Sequence, residues 1–88
     1  MHEFSLMKDL MQKIVSLARE NEARRVVSVK VRLGALCHIS AKHFGEHFRE
    51  AASGTLAEGA RLDIVESRDE TDPLAQDILL EGVDVESP

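Results

Sequence analysis

The run Val27-Ser28-Val29-Lys30-Val31-Arg32-Leu33-Gly34 alternates apolar and polar side chains with a period of two. Successive side chains of an extended chain point to opposite faces. The pattern therefore predicts a strand with Val27, Val29, Val31 and Leu33 on a buried face and Ser28, Lys30 and Arg32 toward water. Gly34 ends it. A strand with one apolar face needs a covering layer, and the sequence on either side supplies it.

Upstream, Leu6, Met7, Leu10, Met11, Ile14, Val15, Leu17 and Ala18 recur at helical spacing, with Lys8, Asp9, Gln12, Lys13, Arg19 and Glu20 opposite. This predicts a helix over about residues 6 to 21, with Ser5 placed to cap it by accepting a backbone N–H. The Met7 and Met11 pair reads as core packing rather than as soft metal ligands. Downstream, Phe44, Phe48, Ala51 and Ala52 share the inner face of a second helix from about Ser40 to Ala52. Ser53-Gly54-Thr55 breaks that helix, the glycine allowing a left-handed closing residue.

Leu62 and Ile64 anchor a second strand over about residues 61 to 66, and the polar stretch Ser67 to Asp77, with Pro73 inside it, is a connecting loop. Ile78 and Leu80 point one way, while Val83 and Val85 continue after a shift of phase at Gly82. A glycine at a phase shift marks a β-bulge, so a kinked third strand is expected. Its tail through Asp84, Val85 and Glu86 is expected to pair with residues 61 to 66. The order α-β-α-β-β describes an α+β domain, a small three-stranded sheet with two helices packed on it.

With 88 residues the chain has room for one small domain. Its hydrophobic share of 43% and charged share of 31% place it among ordinary globular proteins rather than disordered ones. A formal charge of −5 leaves no basic stripe to neutralise phosphates, which excludes nucleic acid as a partner. No apolar run approaches the roughly 20 residues needed to span a bilayer, and the amino terminus lacks the pattern of a signal peptide. Cys37 stands alone, without an internal disulfide partner, as suits a reducing compartment. These features point to a cytoplasmic protein. No glycine-rich phosphate loop, nucleophile elbow or cysteine with a matched histidine-asparagine motif is present, so an enzyme is not expected.

The chemistry concentrates at Met1, His2 and Glu3. A histidine one residue from a free amino terminus closes fused chelate rings on one cation. The donors are the Met1 amine, the residue 2 amide nitrogen and an imidazole nitrogen of His2, with the Glu3 amide as a fourth. Such a near-planar nitrogen set suits nickel(II) or copper(II) better than zinc, magnesium or calcium. Cys37 reads as a small loop residue rather than a thiolate ligand. His43 and His47, four residues apart on the second helix, project from one side and present half a metal site, but with no third ligand spaced nearby they read as a solvated edge beside the Phe44/Phe48 stripe. Arg24 and Arg25 read as a solvated pair.

The full run Met1-His2-Glu3-Phe4-Ser5-Leu6-Met7 resembles the amino terminus of the HypA/HybF family of hydrogenase nickel-incorporation proteins. Further matches follow at Ala23-Arg24-Arg25-Val26, Val31-Arg32-Leu33-Gly34-Ala35-Leu36, Phe44, Phe48 and Ala51 to Leu62. The resemblance covers about residues 1 to 66. It implies a single nickel-binding domain over residues 1–88, with the sheet covered by both helices. It also implies Ni(II) held at Met1, His2 and Glu3. The partners it implies are a HypB-type GTPase and the large-subunit precursor of a [NiFe]-hydrogenase, with a monomer and a homodimer equally compatible. In the family fold the loop after Gly34 lies near the amino terminus, which makes His38 a further metal candidate. Some relatives carry an acidic side chain near the nickel at the position of Ser40.

The family carries a zinc module of two Cys-x-x-Cys pairs between its second and third strands. Residues 67–77 occupy that place here with no cysteine or histidine, so no structural zinc of the family type is expected. The residues leave open whether the module was lost naturally or removed. Two functions remain: a nickel metallochaperone for hydrogenase maturation, or a metal-free module of the same fold that docks on a maturation partner.

Overall fold

In the computed structural model, residues 3–87 are described. The chain order is helix α1 (Glu3–Glu20), strand β1 (Arg25–Leu33), helix α2 (Ala41–Ala52), strand β2 (Arg61–Glu66) and strand β3 (Ile78–Glu86). The α-β-α-β-β order and the α+β class read from the sequence both hold.

Helix α1 begins about three residues earlier than the spacing predicts, and Ser5 lies inside it rather than at its cap. Serine is only mildly unfavourable within a helix, so a capping residue type does not oblige a helix to start there. Met7, Met11, Ile14 and Ala18 are buried at i, i+4, i+7 and i+11, the inner stripe of an amphipathic helix. Helix α2 turns Phe44, Phe48 and Ala52 inward, and the two phenyl rings lie 6.4 Å apart between centroids. Gly54, with φ of 79°, supplies the left-handed residue expected just after it.

The sheet has the order β2-β1-β3. Strand β1 runs parallel to β2, from Ser28 opposite Arg61 to Leu33 opposite Glu66, and α2 makes the crossover. Strand β3 runs antiparallel to β1, from Arg25 opposite Glu86 to Leu33 opposite Ile78. The expected pairing of the last strand with residues 61 to 66 is thus wrong: β1 separates them. The 67–77 loop crosses the carboxyl end of β1, held by Ser67 N–H to Leu33 O (2.9 Å), Gly34 N–H to Asp77 O (2.9 Å) and Leu36 N–H to Ala75 O (2.7 Å). That crossing carries the chain to the far edge of β1. There the pairs Arg25–Glu86 (2.8 Å) and Arg32–Glu81 (3.1 Å) and the bond from Ser28 Oγ to Asp84 Oδ2 (2.8 Å) accompany the register.

Val29, Val31 and Leu33 are buried as the alternation predicts, but Val27 is 40% exposed and Val26 fully buried. The register with β3 shifts between Val26 and Ser28, so Val27 is the extra residue of a bulge and the phase inverts before it. A second shift between Lys30 and Val31 leaves Glu81 extra on β3, beside Gly82, where the sequence placed the kink. Helix α1 packs over β1 and β3, α2 over β2, and the helices pack on each other. The core between them is built from Ile14, Val26, Val29, Val31, Leu33, Phe44 and Phe48, all at most 2% exposed.

Candidate functional site

Met1 and His2 lie outside the described residues, so the proposed terminal clamp is located only by its neighbour: α1 starts at Glu3. The first four N–H groups of a helix have no intrahelical acceptor. The Glu3 amide nitrogen is therefore not withdrawn from ligation by the helix it opens.

The loop from Gly34 to Ser40 joins β1 to α2. With Glu66, Ser67 and Arg68 it lines a shallow depression of about 390 Å³ at the carboxyl edge of β1 and β2. His38 is exposed and adopts φ of 61°, a left-handed conformation uncommon for a side chain with a Cβ. Cys37 is half-buried, its thiol facing Ile39 O at 3.7 Å. Ser40 is the N-cap of α2: its Oγ accepts the His43 N–H at 3.1 Å. Glu66 Oε1 accepts the Ala41 N–H at 3.2 Å, placing a carboxylate at the positive end of the helix. That partner went unrecognised in the sequence, because Glu66 closes a strand 25 positions away. Arg25 is solvated as expected, its side chain more than half exposed, and it also pairs with Glu86.

A second concavity, about 550 Å³, runs between the two helices. Met7, Met11, Val15 and Ala51 form its apolar part, with Lys8, His47 and Glu50 at its polar margins. The two methionines belong to the core, as their spacing implied. Among the described residues, no group of three or more histidine, cysteine, aspartate or glutamate side chains is placed to hold a metal ion. The rings of His43 and His47 stack with centroids 4.6 Å apart and planes 6° from parallel. Among the described residues no helix is long and apolar enough to cross a membrane.

Known proteins resemble the chain in sequence and in fold. A family model described as "Hydrogenase/urease nickel incorporation, metallochaperone, hypA" matches residues 1–72. The hydrogenase maturation factor HypA of Archaeoglobus fulgidus is 39% identical over 64 residues, 73% of this chain and 58% of that protein. That of Methylocella silvestris is also 39% identical over 64 residues, covering 73% and 57% respectively. The chain thus spans less than three-fifths of the length of these relatives. The solution structure of the Ni metallochaperone HypA from Helicobacter pylori matches with a TM-score of 0.82 at 18% identity, covering 100% of both chains. A second solution structure, of HypA protein, gives 0.77 at 17% identity over 99% of this chain and 98% of that one. At such identities the likeness speaks for the fold.

Proposed function

The chain belongs to the HypA family, and from that premise we propose that it is a nickel metallochaperone for [NiFe]-hydrogenase maturation. In this reading Ni(II) is cargo, taken up at Met1, His2 and Glu3. The observation that carries it is a family match that begins at residue 1 and so includes the three candidate ligands. The donor set fits the ion: a terminal amine, one or two amide nitrogens and an imidazole approach the planar geometry that nickel(II) and copper(II) favour. Copper(II) binds the same nitrogens at least as tightly, so selectivity comes from supply and partners. Delivery requires release. A micromolar site, about −8 kcal/mol, holds the ion without trapping it. Binding weakens as pH falls, because every donor must shed a proton to ligate.

A HypB-type GTPase and the hydrogenase large-subunit precursor are the proposed partners. Residues 67–77 stand where the family's zinc module would be, and they hold no cysteine or histidine. That loop favours the rival reading, a metal-free docking module. Calorimetric titration of Ni²⁺ separates the two, using protein with its native Met1 beside His2→Ala and an amino-terminally extended form. One ion per chain, lost in both altered forms, supports the metallochaperone. A folded native protein that binds no nickel overturns it.

A further inference from the structure

We infer that His43 and His47 form a second metal site: a two-imidazole clamp on α2 for a borderline divalent cation such as Ni²⁺, Cu²⁺ or Zn²⁺, with its other coordination positions open. It shares no residue with the amino-terminal clamp and uses no terminal amine or backbone amide nitrogen.

The sequence His43-Phe44-Gly45-Glu46-His47-Phe48 repeats a histidine-phenylalanine pair every four residues. Four residues are slightly more than one helical turn, so both members of each pair recur on their own face. Burial of Phe44 and Phe48, each 1% exposed, fixes the rotation of the helix about its axis. The histidines are then carried outward together. His43 is exposed and His47 half-buried at the margin of the groove between the helices. The backbone beneath them is held at its start by Ser40 Oγ on the His43 N–H and by Glu66 on the Ala41 N–H. A ligand pair on an anchored helix loses less freedom on binding than one on a loop.

The two rings are already neighbours. Planes 6° from parallel at a centroid separation of 4.6 Å bring the two imidazoles alongside each other. Metal–nitrogen bonds of about 2.0–2.1 Å require two donor nitrogens roughly 3 Å apart. Lone pairs in near-parallel planes do not converge on one ion, so binding requires the two rings to turn about their side-chain torsions until a nitrogen of each points at the cation, as neighbours four apart on one helix face can do. No third histidine, cysteine or carboxylate among the described residues completes a cage. Water, or a ligand brought by another protein, would fill the remaining positions. The clamp also differs in metal preference from the amino-terminal set. Two neutral imidazoles impose no plane, so tetrahedral Zn²⁺ is accepted as well as Ni²⁺ and Cu²⁺.

The test uses the full chain with a Gly-Ser extension at its amino terminus, which displaces the terminal amine and disables the other site. Zn²⁺ or Ni²⁺ alone is the probe. Histidine ring signals are followed by NMR, and the urea midpoint is measured with and without metal. The His43 and His47 signals are expected to respond together, and the midpoint to rise with metal concentration, since binding only the folded helix stabilises it. Either His43→Ala or His47→Ala should weaken binding about a hundredfold, because one tether then replaces two. His38→Ala should leave it unchanged. Alanine favours a helix, so both α2 variants should fold without metal. No metal response in the extended protein, or a response that survives His43→Ala/His47→Ala, overturns the inference. Failure of the terminal clamp alone would appear only in the unextended protein.

Discussion

Replacing Gly34 with alanine tests how the end of β1 is organised. Gly34 has an ordinary backbone conformation; the left-handed glycines are Gly54 and Gly59. Its requirement is for space. A Cβ there would overlap the carbonyl oxygen and carbon of Ala75 and stand 2.9 Å from Asp77 O. All three are backbone atoms, so no rotamer change relieves the clash. The loop must lift away, breaking Gly34 N–H to Asp77 O and Leu36 N–H to Ala75 O and exposing Ala75, now 4% accessible. Two hydrogen bonds at about 0.5–1.5 kcal/mol each give roughly 1–3 kcal/mol of destabilisation. The entropy alanine removes from the unfolded chain returns only about 0.4–1 kcal/mol. Net loss should lie between about 0 and about 2.6 kcal/mol, centred slightly above ~1 kcal/mol, in urea unfolding. Hydrogen exchange should show Gly34→Ala losing protection at positions 34 and 36, while the centre of β1 keeps it. Gly82→Ala is the control, since a Cβ at Gly82 meets nothing within 4 Å. A Gly34→Ala protein as stable as the parent, with both amides still protected, would refute the reasoning.

Gly45→Ala should stabilise the fold by about 0.5–1 kcal/mol in the same unfolding assay, because Gly45 sits inside α2. A Cβ at Gly45 would meet only the Arg49 guanidinium, at an ordinary 3.8 Å. Ser40→Ala removes the cap of α2 and should cost about 1 kcal/mol, a fall of about 4–8 °C in Tm by calorimetry. Asp69 is held below the usual carboxylate range by the Thr71 hydroxyl, 2.6 Å away, and then by the Thr71 N–H. Its contribution is present above the ordinary carboxylate pKa and lost as pH falls through the lowered value. Thr71→Val should move the Asp69 carboxyl back up, read from the pH titration of its carbon signal.

Elements bounded by chemistry at both ends were the legible ones. Helix α2 has Ser40 before it and Ser53-Gly54 after it, and β2 lies between Gly59 and the polar loop. Three features escaped, each settled by something distant in the chain. The bulge at Val27 depends on which β3 residue faces Ser28, and Asp84 is 56 positions away. The neighbour of β3 could not be read from its own pattern, because apolar alternation marks a strand without naming its partner. Glu66 capping α2 joins residues that only the parallel β1–β2 pairing brings together. Ser40 was read as the first residue of the second helix and singled out through the resemblance, so its role as the cap was not recognised. The candidate nickel ligands Met1 and His2 rested on donor chemistry and resemblance from the start, and no described contact bears on them.

Placing β1 in the middle of the sheet has a consequence for how the chain assembles as it is made. The three polar ties between β1 and β3 join Arg32 to Glu81, Ser28 to Asp84 and Arg25 to Glu86, across 49, 56 and 61 positions. At about 5–20 residues per second, a ribosome leaves β1 without its second neighbour for about 3–12 s. During that interval the strand offers an open edge to any other chain nearby.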